Sequence, residues 1–138
     1  MWRLHQYPLC PFSRKVRLLL GEKGVPYSLV RENPWEQRDD FLQMNPAGRT
    51  PVMRDAERSI TLVDSVAISE YIDETVSANP MISGTAQYRA EIRRLVAWFD
   101  EQFYGDVTQP LLHERMKKRL IDRQPPDSRV LREAMKLA

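Results

Sequence analysis

Apolar and polar residues alternate through Trp2-Arg3-Leu4-His5-Gln6-Tyr7, and a period of two predicts a strand that Pro8 ends. From Pro11 the period lengthens. Phe12, Val16, Leu19 and Leu20 share one helical face, while Arg14, Lys15, Arg17 and Glu22 fall elsewhere. Pro11 suits the first helical turn, where its missing N–H is not needed, and Gly24 suits the position just past the helix end. Val25, Tyr27 and Leu29 return to period two, predicting a second strand to Arg31. A right-handed crossover places these two strands in parallel. Asn33-Pro34 then opens a segment to Asn45 whose Phe41, Leu42 and Met44 form a modest apolar side, read as a short helix.

The stretch from Asn45 to Met53 holds Gly48 and two prolines, a loop entering a strand. Pro51 at the strand's start cannot donate to a ladder, and a cis bond after Thr50 would turn the Thr50 backbone outward. Asp55 to Ser59 reads as a hairpin turn and Ile60 to Val63 as the returning strand. Asp64-Ser65, both good capping types, precede Val66, Ile68, Tyr71 and Ile72 at helical spacing. The order is β-α-β-α-β-β-α over residues 1–77. Residues 78–85, within a polar stretch that includes Asn79-Pro80, are read as a linker. Beyond it, residues 86–138 carry only helical patterns: Tyr88, Ile92, Leu95, Val96, Phe99 and Phe103 on one face, then Leu111, Leu112, Met116 and Leu120. Gly105 and Pro110 are expected to bend or interrupt that run. Gln124-Pro125-Pro126 breaks it, and Asp127-Ser128 caps a last helix. These helices are too few to close a bundle, so the α/β part is followed by a partial all-α domain, as in a fragment of a longer protein.

Composition narrows the class. Of 138 residues, 42% are hydrophobic and 29% charged, a globular balance. The net charge of +2 argues for neither nucleic acid nor membrane, and no stretch approaches the roughly 20 apolar residues of a membrane-spanning helix. From Glu114 onward eight Lys or Arg stand against four Asp or Glu, ordinarily a solvated face. One cysteine excludes an intramolecular disulfide framework, and two distant histidines make a metal centre unexpected. A reducing cytoplasm is the expected setting.

That single cysteine, Cys10, lies in Tyr7-Pro8-Leu9-Cys10-Pro11-Phe12-Ser13, between a strand and a helix. A lone cysteine is ordinarily an inert core residue. Here Pro8, Pro11 and the helix start favour a reactive thiol instead, because exposed N–H groups at a helix N-terminus stabilise negative sulfur. Arg14 and Lys15 add positive charge nearby. Ser13 stands where a second cysteine would complete a dithiol pair, which leaves a monothiol cycle.

The Cys-Pro-Phe-Ser turn, Thr50-Pro51 and Asp64-Ser65, in this order and spacing, resemble the glutathione transferase family and its thioredoxin-like N-terminal domain. The resemblance covers about residues 1–77 and continues less closely into the helical part. It implies that Cys10 is the catalytic residue, forming a mixed disulfide with glutathione, the co-substrate. It also implies glutathione contacts from Phe12, Arg49, Thr50, Pro51, Asp64 and Ser65. Thr50 would pair its backbone with the cysteinyl unit, and Ser65 with the α-helix end would hold the γ-glutamyl carboxylate. Asp64 is shorter than the Glu or Gln of many relatives. Arg38 and Arg49 are candidates for the glycyl carboxylate. A homodimer and no metal are further implications. The run Trp98-Phe99-Asp100-Glu101-Gln102-Phe103-Tyr104, with Val107-Thr108 and Pro125-Pro126-Asp127-Ser128, resembles a bacterial branch of the family that includes a non-enzymatic cell-division scaffold. That likeness implies a protein partner, the tubulin-like division polymer, as the alternative.

Overall fold

A computed structural model describes residues 1–138, which fall into two compact units, Met1–Ile82 and Ser83–Ala138. In the first unit, strand β1 (Trp2–Gln6) leads to helix α1 (Pro11–Glu22), then β2 (Tyr27–Arg31) and α2 (Asp39–Met44). Strands β3 (Val52–Asp55) and β4 (Ile60–Val63) follow, and α3 (Ser65–Thr75) closes the unit. The sheet order is β2-β1-β3-β4, with β1 and β2 parallel and the remaining pairs antiparallel. This is the thioredoxin-like arrangement of a four-stranded mixed sheet with helices, and a helical region follows it.

Alternation along β1 explains the layering. Trp2 and Leu4 face one side of the sheet and join Val16 and Leu20 of α1, Met53 of β3, and Ile68 and Ile72 of α3 in one core. His5 faces the other side, where its ring lies 6.3 Å from that of Phe41 on α2. Complete burial of Leu4, Leu20, Met53 and Ile68 stabilises the unit by roughly 1.5–3 kcal/mol per side chain relative to exposure. The end of α1 follows its sequence signal. Gly24 has φ +63°, and Gly24 N–H and Val25 N–H donate to Gly21 O and Leu20 O at 3.1 and 2.9 Å. These are the paired closing bonds that a left-handed residue past a helix end permits.

Two local expectations change. The second strand begins at Tyr27, because Val25 completes the helix-closing turn and packs on the core. The segment after it splits into a single 3₁₀ turn (Pro34–Glu36) and α2, separated by Gln37 at φ +47°.

The second unit opens with α4 (Ala86–Trp98), whose Thr85 Oγ1 accepts from Tyr88 N–H at 3.2 Å. Gly105 and Pro110 are expected to bend or interrupt the helix that starts there; the chain stays helical through both, with altered turns. Phe99–Thr108 continues it in wider, π-type turns into α5 (Gln109–Leu112), and His113–Lys117 widens again before α6 (Lys118–Leu120). Gln109 N–H donates to Tyr104 O, five residues back rather than four. Proline in an α-turn loses a bond and crowds the carbonyl four residues earlier, and a widened turn just before Pro110 relieves that conflict. Helix α7 (Ser128–Leu137) is capped by Asp127, which accepts from Arg129 and Val130 N–H at 2.8 and 3.4 Å. Buried Glu114 holds the loop before it, accepting from Asp127 N–H at 2.6 Å and Lys118 Nζ at 3.0 Å. Trp98, Phe99 and Phe103 form an aromatic group in which Trp98 and Phe99 remain about half exposed. No helix is long and apolar enough to cross a membrane.

Candidate functional site

Strand register brings the sequence-predicted residues to one edge of the sheet. His5, near the end of β1, pairs with Val52 at the start of β3, and Val52 pairs with Val63 at the end of β4. The turn holding Cys10, the Thr50-Pro51 step and the Asp64-Ser65 step therefore leave or enter neighbouring strands at the same level. With strands about 4.8 Å apart, this row spans about 10 Å.

Cys10 is the N-cap of α1. Its extended backbone (φ −79°, ψ 117°) turns the chain into the helix, its N–H donates to Tyr7 O at 3.0 Å, and its carbonyl accepts the first helical bond from Arg14. The half-buried sulfur accepts from Ser13 N–H at 3.5 Å and donates to Thr50 O at 3.5 Å. The sulfur thus caps one of the helix's otherwise unpaired N–H groups, where a negative charge is favoured. Thr50 is buried and the Thr50–Pro51 peptide bond is cis. Ser13 is fully buried, and its Oγ has no hydrogen-bond partner. Phe12 lies half-buried beside Cys10 in the first turn.

Asp64 adopts φ +78°, a region that residues other than glycine rarely occupy. Its carboxylate caps α3, with Oδ1 accepting from Val66 and Ala67 N–H at 2.7 and 3.4 Å. The short acid thus folds back on its own helix, while Ser65, the first residue of α3, is buried. The basic candidates differ. Arg38 is engaged, donating to buried Glu32 at 3.1 Å and lying 3.3 Å from Asp40. Arg49 is exposed, and its carbonyl accepts from Asn45 Nδ2 at 2.7 Å.

His5, Glu32 and Gln37, at or near this edge, carried no sequence signal for their roles, whereas Trp35 is expected from the sequence to pack near the rim. His5 Nδ1 lies 2.8 Å from Glu32 Oε1, and Glu32 N–H donates to Gln6 O. Trp35 stands edge-on to Tyr7, ring centroids 5.1 Å apart, and is 43% exposed at the rim. Its loop is pinned by Gln37, whose Nε2 donates to Pro34 O and Gly48 O. Gly48 has φ +62°, and a Cβ there would lie 2.6 Å from Gln37 Oε1. Only the proline and glycine spacing hinted at such a turn.

A cysteine capping the first helix of a thioredoxin-like unit, beside the Thr50-Pro51 step, is the arrangement of an N-terminal domain of the glutathione transferase type. Residues 9–75 match the family described as "Glutathione S-transferase, N-terminal domain". That match, over just under half of the chain, identifies a glutathione S-transferase N-terminal domain. The chain is similar to FtsZ-localized protein A of Caulobacter vibrioides, 41% identical over 132 residues, covering 94% of this chain and 58% of that protein. The crystal structure of a glutathione S-transferase from Rhodospirillum rubrum F11 superposes with TM-score 0.94 at 43% identity, over 99% of this chain and 61% of its own. FzlA from C. crescentus superposes with TM-score 0.92 at 39% identity, over 98% and 61%. The chain thus spans about three fifths of the length of these relatives.

Proposed function

We propose that the first unit binds glutathione and passes thiol groups through Cys10. The observation that carries this reading is the contact of Cys10 Sγ with both Ser13 N–H and Thr50 O, one sulfur shared by a helix start and an extended backbone segment. Thr50 would offer its backbone to the cysteinyl unit of the tripeptide. Phe12, Pro51, Ser65 and Asp64 would line the cleft, and exposed Arg49 is the free cation for the glycyl carboxylate. Arg38 is less suited, since Glu32 and Asp40 already occupy it.

The chemistry is a two-step exchange. The Cys10 thiolate attacks the glutathionyl sulfur of a mixed disulfide; that S–S bond breaks, the substrate thiolate leaves and takes a proton from water, and Cys10 carries the glutathionyl group. A second glutathione thiolate then attacks that sulfur. Oxidised glutathione leaves and the Cys10 thiolate is restored. No second thiol is required, which agrees with serine at position 13. The reading places the protein in a reducing cytoplasm as a homodimer.

A second reading is a non-enzymatic scaffold. It is favoured by the similarity to FtsZ-localized protein A, which extends across both units, and by the capping role of Asp64. A carboxylate already seated at the start of α3 competes with the γ-glutamyl carboxylate for the same N–H groups. One experiment separates the two. Glutathione binding is measured by calorimetry, and disulfide exchange is followed with the chain and its Cys10→Ala variant. Binding, with exchange abolished in the variant, supports the thiol-transfer reading. Absence of binding, together with co-sedimentation with FtsZ polymers by both proteins, supports the scaffold.

A further inference from the structure

We infer that Lys23 and Asp73 form a latch that keeps residues 76–82 docked on the first unit, a stretch that opens by itself when the pair is broken. Lys23, just past α1, has no side-chain exposure, and Asp73, near the end of α3, has 8%. Their Nζ and Oδ1 atoms are 2.6 Å apart. An ammonium group has three hydrogens to place. Lys23 directs the other two to Val76 O at 3.0 Å and Ala78 O at 2.8 Å. Asp73 uses its oxygens in the same way, Oδ1 accepting from Met81 N–H at 2.7 Å and Oδ2 from Ile82 N–H at 2.9 Å. Asn79 Nδ2 adds a bond to Glu22 O at 3.3 Å.

Backbone groups of a loop must find partners somewhere, usually water. Here four of them, from Val76, Ala78, Met81 and Ile82, converge on one ion pair. Apolar anchoring is slight by comparison. Val76 packs on the core and Ile82 is half-buried, but residues 77–81 are exposed. The order of this stretch is therefore electrostatic and directional. The polar, proline-containing composition that reads as a free linker is a docked one. Released, its seven residues could extend to about 25 Å of tether.

The same geometry predicts how the latch fails. Removing one charge leaves the other buried and unpaired, which is costlier than removing both. The test is hydrogen–deuterium exchange followed by mass spectrometry on the whole chain. The proteins are the parent, Lys23→Met, Asp73→Asn and the double variant Lys23→Met/Asp73→Leu, in which no charge is stranded. Exchange across 76–82 is expected to rise at least about tenfold in every variant, with β1 and β3 keeping their protection in the double variant. Should a single variant fail to fold, the double variant decides the matter. Unchanged protection of 76–82 there would overturn the inference, as would a rise matched by β1 and β3, since the pair would then serve the core as a whole.

Discussion

The Cys10 thiol donates to the Thr50 carbonyl oxygen at 3.5 Å, joining positions forty residues apart in the chain. That contact ties the start of α1 to the entry of β3, and it uses a backbone acceptor that the proposed ligand would also use. Glutathione would therefore displace a bond already present, and the thiol would be freed as the tripeptide docks. Cys10→Ser tests the role of sulfur separately from that of the cap. Serine is a strong N-cap, so denaturant unfolding is expected to shift by no more than about 1 kcal/mol. Formation of a glutathionyl adduct, read by intact-protein mass spectrometry, is expected to disappear.

Asp64 joins a good cap to an unfavourable backbone angle. Asp64→Ala is expected to destabilise by about 1–2 kcal/mol, losing the bonds to Val66 and Ala67 N–H while keeping φ positive. Asp64→Gly loses the same bonds but relaxes the backbone, and is expected to cost only a few tenths of a kcal/mol relative to Asp. Urea titration of the two variants checks the order. The scaffold reading adds that glutathione affinity should rise in Asp64→Gly, where the competing carboxylate is gone.

Acid should weaken the latch at Asp73. Burial pushes this carboxyl up, but the hydrogen bond from Lys23, those from Met81 and Ile82 N–H, and the Lys23 charge outweigh it. The group is held below the ordinary aspartate range. A depressed folded value means that the stabilisation is fully present above about pH 4, where an unfolded aspartate is ionised. It is lost as pH falls further, through the folded value. The stability difference between the parent and Asp73→Asn is therefore expected to be constant from pH 7 to 5 and to shrink below about pH 4, as followed by urea unfolding.

Core truncation should be severe in the first unit. Ile68→Ala removes a fully buried side chain between α3 and the sheet, and is expected to cost about 2–5 kcal/mol in denaturant unfolding. The exposed Leu18→Ala on α1 is the control, expected within about 0.5 kcal/mol.

Much of this was readable from residue order. The period-two run at Trp2–Gln6, the polar turn before the returning strand at Ile60–Val63, the Pro11 and Gly24 boundaries of α1, and the Asp64 cap are all local signals, and local physics decides them. The relations that carry the proposed chemistry are different. Cys10 meets Thr50 because β1 and β3 pair in one register, and no short window of sequence specifies a register. Lys23 and Asp73 went unnoticed because each looks like a surface charge until the fold buries both. Arg38 appeared free for the same reason, since its partner Glu32 is buried only after β2 pairs with β1. Gly105 and Pro110 leave the helix continuous, and its turns widen around Gly105 and just before Pro110. Both are breakers by propensity, yet the helix absorbs them.

That absorption alters how the second unit should be compared with its relatives. A turn that closes on the fifth residue instead of the fourth shelters one extra residue without ending the rod, as Gln109 and Lys118 both do with carbonyls five residues back. Seven-residue bookkeeping carried forward from Tyr88 consequently falls out of phase before Leu120. Aligned chains that differ here by a single insertion or deletion need not differ by a loop; the change can be stored as girth.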